Sequence, residues 1–147
     1  AAEALDAGWT GEVLSVVDAR RGEVFAARFR PGPVGLPITV TSPRLCAPEH
    51  LGQLAGGDPH VPVIAVGDGA VRYGSELAAT SWTTVASPAV SGPSPEALVV
   101  LAQRRLGAGV VPASPSNVRP IYLRDADARI NWAQRDSMTR DDSLTGT

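Results

Sequence analysis

The sequence predicts an α/β domain: a mixed sheet, with a three-strand antiparallel meander followed by parallel strands, flanked by helices. Three observations carry this. Two β-branched, mostly apolar runs lie on either side of a short Arg-Arg-Gly break near the start. A short apolar run, Val63 to Val66, follows Pro62 and sits between segments of helical character, the context of a buried parallel strand. The chain has 147 residues, of which 44% are apolar, enough for one domain with its own core plus extensions.

The elements follow in order. Ala1 to Ala7 reads as the end of a helix, and the chain is expected to be a piece of a longer protein. Val13 to Ala19 suits a buried strand, and Glu23 to Arg30 a second one. The break between them, Arg20-Arg21-Gly22, is short enough for an antiparallel hairpin, with Gly able to take positive φ. Pro31 to Pro37 is too rich in Pro and Gly for regular structure. A third strand is expected over Ile38 to Thr41, closed by Pro43, then a short helix over Pro48 to Leu54 stopped by Gly56-Gly57. Val63 to Val66 is the fourth strand, Gly67-Asp68-Gly69 a turn, Val71 to Ala78 a helix, and Thr83 to Ala86 a fifth strand. Pro95 to Leu106 carries the clearest helix signal. Ser94 is a good N-cap, Pro95 fits the first helical position, and Leu98 and Leu101 are expected to face the core. Val118 to Arg124 reads as an extended segment that docks against something apolar.

Three antiparallel strands, then helix, strand, helix, strand, helix is the ribonuclease-H-like layout, which is also one half of the actin-like duplicated fold. The expected division is a residual helix or linker over 1–12, an actin-like lobe over 13–125, and a polar tail over 126–147 that lacks apolar anchors and is expected to be disordered.

Composition excludes several chemistries. All 13 basic residues are Arg, so no lysine can reach a phosphate, form a Schiff base or act as a general base. A net charge of −2 argues against a dedicated nucleic-acid binder. The lone Cys46 permits neither an intrachain disulfide nor a multi-cysteine zinc site, and beside Leu45 and Ala47 it reads as a small apolar residue. No apolar run approaches the ~20 residues that span a bilayer. The expectation is a cytoplasmic protein without membrane contact.

The candidate site residues each have a plainer reading. Asp18 and Asp68 both fall at strand ends, where carboxylates could gather Mg²⁺ in a ribonuclease-H-like nuclease, with Glu23 as a third. The plainer reading makes Asp18 a turn cap and Asp68 the filling of a G-x-G turn. That turn could also offer N–H groups to an anion, but it matches no complete phosphate-loop pattern. His50 and His60 lack the i, i+4 spacing of a helical zinc pair and read as surface residues. Ser15, Ser75 and Ser81 lack a G-x-S-x-G elbow. No catalytic, cofactor or metal residue is therefore assigned. Arg20 and Arg21 at the hairpin tip, with Arg119 and Arg124, could instead form a partner-binding patch, because the guanidinium fork suits interfaces.

Three segments together resemble the carboxy-terminal domain of the TsaB (YeaZ) family. They are Val17-Asp18-Ala19-Arg20-Arg21-Gly22-Glu23-Val24-Phe25, Val66-Gly67-Asp68-Gly69-Ala70 and Pro120-Ile121-Tyr122-Leu123-Arg124, with the Pro95 to Leu98 helix start between the last two. The resemblance covers about residues 1–125. It implies an actin-like, glycoprotease-like, catalytically inactive subunit of the tRNA-modification complex that places threonylcarbamoyl on an adenosine next to the anticodon. Its implied partners are the homologous catalytic subunit TsaD and the ATPase TsaE, with self-association possible in the family. Arg20, Arg21, Glu23, Tyr122 and Arg124 are the implied partner contacts. The family's first lobe, with its A-I-D-T-S strand and G-P-G-S-F-T-G-L-R segment, has no counterpart here, and the family's contacts with TsaD run largely through that lobe. Active actin-like proteins keep a Gly-rich hairpin where this chain has Arg20-Arg21-Gly22-Glu23. Bulky side chains there would hinder backbone approach to a phosphate, so no cofactor and no ATP binding are expected. The alternative reading is a metal-dependent hydrolase, ribonuclease-H-like or glycoprotease-like, that uses Asp18 and Asp68. A third is an interaction module for an unrelated protein.

Overall fold

The computed structural model describes residues 1–56, 58–88 and 91–123. The elements in chain order are α1 (Ala2–Asp6), β1 (Glu12–Arg20), β2 (Glu23–Arg30), β3 (Ile38–Cys46), α2 (Leu51–Ala55), β4 (Val63–Val66), α3 (Asp68–Arg72), α4 (Gly74–Ala78), β5 (Thr83–Val85) and α5 (Pro95–Gly107). The strands form one sheet in the order β3-β2-β1-β4-β5. β1 pairs antiparallel with β2, and β2 with β3; β4 runs parallel to both β1 and β5. This is the mixed sheet of the ribonuclease-H-like and actin-like layout, with β1 at the junction of its antiparallel and parallel halves.

Alternation explains the main core. Leu14 and Val16 on β1, Val24 and Ala26 on β2, and Val63 and Ala65 on β4 point to one face of the sheet, where they meet Leu51, Leu54, Ala55, Ala70 and Leu77 from the helices. Leu14, Leu51 and Leu77 have no exposed surface, and each contributes about 1.5–3 kcal/mol through burial. Arg28 closes one end of this layer. Its Nε lies 3.0 Å from Glu12 Oε2, an ion pair whose angle falls short of a hydrogen bond. Its Nη1 donates to the carbonyls of Leu54 (3.3 Å) and Gly56 (2.5 Å), which lie at the end of α2, where helical N–H partners run out.

Four expectations need correction. β3 does not end before Pro43 but runs through it to Cys46. β3 is an edge strand, and one β2 residue (Ala27) faces two β3 residues between the pairs Ala26↔Arg44 and Arg28↔Thr41. Pro43 sits in that bulge, where no ladder N–H is required. The helix expected over Val71 to Ala78 starts earlier and is two helices, because Tyr73 leaves the helical region (φ −110°, ψ 36°) before Gly74. α5 forms as expected, with Ser94 Oγ accepting the Ala97 N–H at 3.1 Å, but Leu98 is 57% exposed and Leu101 only half-buried. Residues 97–102 are all apolar, so periodicity could not select the inner face. Polar contacts select it: Arg104 Nη1 reaches Asp6 Oδ1 at 2.5 Å and donates to the Gly35 carbonyl at 3.2 Å. Finally, Val118, Ile121 and Tyr122 do not dock; they are 65%, 78% and 84% exposed. The polar tail read over 126–147 lies outside the described residues, as does Arg124.

Candidate functional site

The site is built where the β1–β2 hairpin meets the β4–α3 turn. Arg20 pairs with Glu23, leaving Arg21-Gly22 as a two-residue loop. Both loop residues have positive φ, 56° and 76°, the sign that a tight hairpin matched to strand twist requires. Arg20 is also left-handed, at φ 65°, beside a register slip between Asp18 and Arg20. Asp18 supports that conformation: its Oδ1 accepts the Arg20 N–H at 2.9 Å, the local side-chain-to-backbone bond that Asp makes in turns.

The other Asp18 oxygen faces two guanidiniums. Arg72 Nη1 bonds Oδ2 at 2.8 Å, and Arg20 Nη1 lies 3.6 Å from the same atom. The Arg72 guanidinium also lies over the Tyr73 ring, 5.4 Å from its centre. The Arg20 N–H bond, then the charge and hydrogen bond of Arg72, hold the Asp18 carboxyl below the usual carboxylate range, outweighing the opposing effect of desolvation. Asp68 ties the two turns together, because its Oδ1 accepts the N–H of Asp18 at 3.0 Å and of Gly69 at 2.8 Å.

The glycines flanking Asp68 serve packing. At Gly67, with φ 108°, an added Cβ would lie 2.1 Å from the Val16 carbonyl oxygen. At Gly69 it would lie 2.9 Å from Val16 Cγ1 and 3.0 Å from the Asp18 nitrogen. The turn therefore presses directly onto β1, and the Gly69 N–H is taken by Asp68. The plainer reading of the G-D-G segment accounts for these atoms.

Of the residues singled out in the sequence, the fold brings together Asp18, Asp68 and Arg20, with Arg21 exposed at the tip and Glu23 across the ladder from Arg20. Arg119 is not part of the patch; its Nη1 donates to the carbonyls of Ser116 and Val118 in its own loop. His50 and His60 are exposed. Cys46 is half-buried, and burial raises its thiol pKa, the opposite of an activated nucleophile. Among the described residues, no group of three or more His, Cys, Asp or Glu is placed to hold a metal ion. Sequence reasoning missed Arg72. It reaches Asp18 across 54 positions only because α3 packs on β1, and no local pattern signals that pairing.

The sheet order and this strand-turn junction define an α/β lobe of the ribonuclease-H-like and actin-like class. Comparison with solved structures specifies it further: the fold is that of YeaZ. An uncharacterized protein from Pseudomonas aeruginosa, described as similar to peptidase YeaZ, superposes with a TM-score of 0.68 at 20% identity, over 84% of this chain and 54% of that one. YeaZ from Pseudomonas aeruginosa superposes with a TM-score of 0.58 at 18% identity, over 74% of this chain and 48% of its own. The chain thus spans about half the length of these structures. No family model and no curated protein matches the sequence. Among the described residues, no helix is long and apolar enough to cross a membrane.

Proposed function

We propose that this chain is a non-catalytic partner lobe of the TsaB/YeaZ kind, acting in the complex that forms threonylcarbamoyladenosine in cytoplasmic tRNA. In this reading it supports a TsaD-like catalytic subunit alongside a TsaE-like ATPase, and contributes a binding surface in place of reacting groups. The fold shared with YeaZ and the hairpin, turn and helix-start motifs in matching order support the family assignment.

One observation carries the non-catalytic reading: the carboxylates best placed for chemistry are already engaged. Asp18 divides its two oxygens between the Arg20 N–H and the Arg72 guanidinium, and Asp68 Oδ1 takes two N–H groups. A two-metal hydrolase needs such oxygens turned toward the ions. Here a cation would have to displace Arg72 from Asp18. One structural neighbour is similar to peptidase YeaZ, which motivates a hydrolase as the competing reading, but no feature of this junction favours it.

The test has two arms. Gel filtration with the TsaD-like subunit of the same organism should show co-elution, carried by contacts of this lobe outside the family's first-lobe interface. The chain alone should show no Mg²⁺-dependent nuclease or peptidase turnover. Turnover abolished by Asp18→Asn would establish the hydrolase reading instead, and failure to co-elute would remove the partner assignment.

A further inference from the structure

We infer that Arg20 and Arg72, gathered on the Asp18 carboxylate, form a docking site for carboxylate side chains on the surface of a partner protein. The inference rests on the reading of this lobe as a binding subunit, but not on which partner it binds.

The first support is conformational. Arg20 and Arg21 both occupy the left-handed region, at φ 65° and 56°. That region costs a non-glycine residue roughly 1–2 kcal/mol, and Gly or Asn would relieve most of it. Two arginines at these positions oppose stability, so their side chains supply something a relaxed turn would lack.

The second is geometric. The Asp18 side chain is 6% exposed, whereas those of Arg20 and Arg72 are 80% and 57% exposed. The acid lies underneath and the two forks lie on top, both directed at one buried oxygen. Arg72 is held further by Tyr73. Flexible arginines lose rotamer entropy on binding; Arg72 is already held by Asp18 and the Tyr73 ring and loses less. Their outward N–H groups match the bidentate geometry of a carboxylate.

The third concerns charge, and it separates a protein carboxylate from a phosphate. The cluster contains Arg20, Arg21 and Arg72 against Asp18, Glu23 and Asp68, so it is neutral as a whole. Asp68 is exposed at its edge. A phosphate or nucleotide carries multiple negative charge, gains little long-range attraction here and meets the rim carboxylates. A partner surface carrying both signs can place an acid on the guanidiniums and a base near the rim.

The experiment follows the Nε–Hε signals of Arg20 and Arg72 by NMR while a peptide of alternating glutamate and lysine, which carries both signs, is titrated into the protein. Both signals should shift together, and Arg72→Ala should weaken peptide binding about tenfold, the effect of losing one charge-assisted hydrogen bond. Arg20→Ala should weaken it as well. That variant keeps the Arg20 N–H bond to Asp18 and the Arg72–Asp18 bridge, and unchanged amide signals along β1 and β2 would show that the hairpin stays folded. Absence of shifts at millimolar peptide overturns the inference, as do equal shifts caused by inorganic phosphate or Mg-ATP. Peptide binding without co-elution of the TsaD-like subunit would sink the family reading and leave the docking site. Co-elution that tolerates Arg20→Ala and Arg72→Ala, with no peptide binding, would do the reverse.

Discussion

On one face of the sheet, α2, α3 and α4 bury Leu14, Leu51 and Leu77 completely, whereas neither α1 nor α5 contains a single buried residue. The first region is held by close packing, down to turns that press on β1 with no room for a Cβ. The second buries apolar side chains only partly (Leu5, Ala97, Val100 and Leu101) and adds polar contacts: Arg104 with Asp6 and the Gly35 carbonyl, and the Ser94 N–H with Glu3 at 3.5 Å. Apolar packing resists solvent and scales with buried area, while half-exposed ion pairs contribute little and are screened by salt. The α1/α5 pair should therefore open at lower free energy than the sheet with α2–α4. The candidate site lies on the rigid side, which suits a surface that must present side chains in fixed positions.

Substitutions can break or sharpen that contrast. The largest effect is expected at Gly67→Ala, which combines a positive φ with a Cβ against the Val16 carbonyl. A loss of about 4 kcal/mol in urea unfolding is predicted, enough to prevent folding of a marginal domain. Leu51→Ala, from the fully buried set, should cost about 3 kcal/mol by the same measurement. Arg28→Ala should cost about 2 kcal/mol. It removes the ion pair to Glu12 and uncaps the Leu54 and Gly56 carbonyls, all in half-buried surroundings. On the other side of the contrast, Leu98→Ala should change stability by less than about 0.5 kcal/mol, since Leu98 lies mostly in water. Arg104→Ala should leave global stability within about 1 kcal/mol but selectively speed amide exchange in α5. If Leu98→Ala proved as costly as Leu51→Ala, the contrast would be wrong.

Acid probes the junction itself. Because the Asp18 carboxyl titrates below its unfolded value, its contribution to stability is present above about pH 4 and is lost as the pH falls below that. Asp18→Asn should therefore show a shallower loss of stability than the wild type between pH 5 and about pH 3, followed by urea midpoints.

Much of the sheet was legible in the sequence. The β1–β2 hairpin and β4 announce themselves, because β-branched runs bounded by Gly, Pro or Arg have few other uses. What local sequence could not convey was tertiary. Pro43 reads as a stop until β3 is known to be an edge strand with a bulge. The apolar stretch Ala97 to Ala102 names every face of α5 equally, so only the Arg104 and Glu3 contacts decide which one turns inward. At the site, the sequence supplied Asp18, Asp68 and Arg20 but not Arg72, whose role depends on α3 lying across β1.

The most direct test of the claim that Asp18 and Asp68 are structural is a titration with Mn²⁺, a paramagnetic stand-in for Mg²⁺, monitored by amide NMR. The structure predicts that the signals of residues 18 and 68 keep their widths at micromolar Mn²⁺, because the Arg20 N–H and Arg72 already hold both oxygens of Asp18, and two N–H groups hold Oδ1 of Asp68. Selective broadening of both signals at those concentrations, lost in Asp18→Asn, would show a metal site and contradict the account.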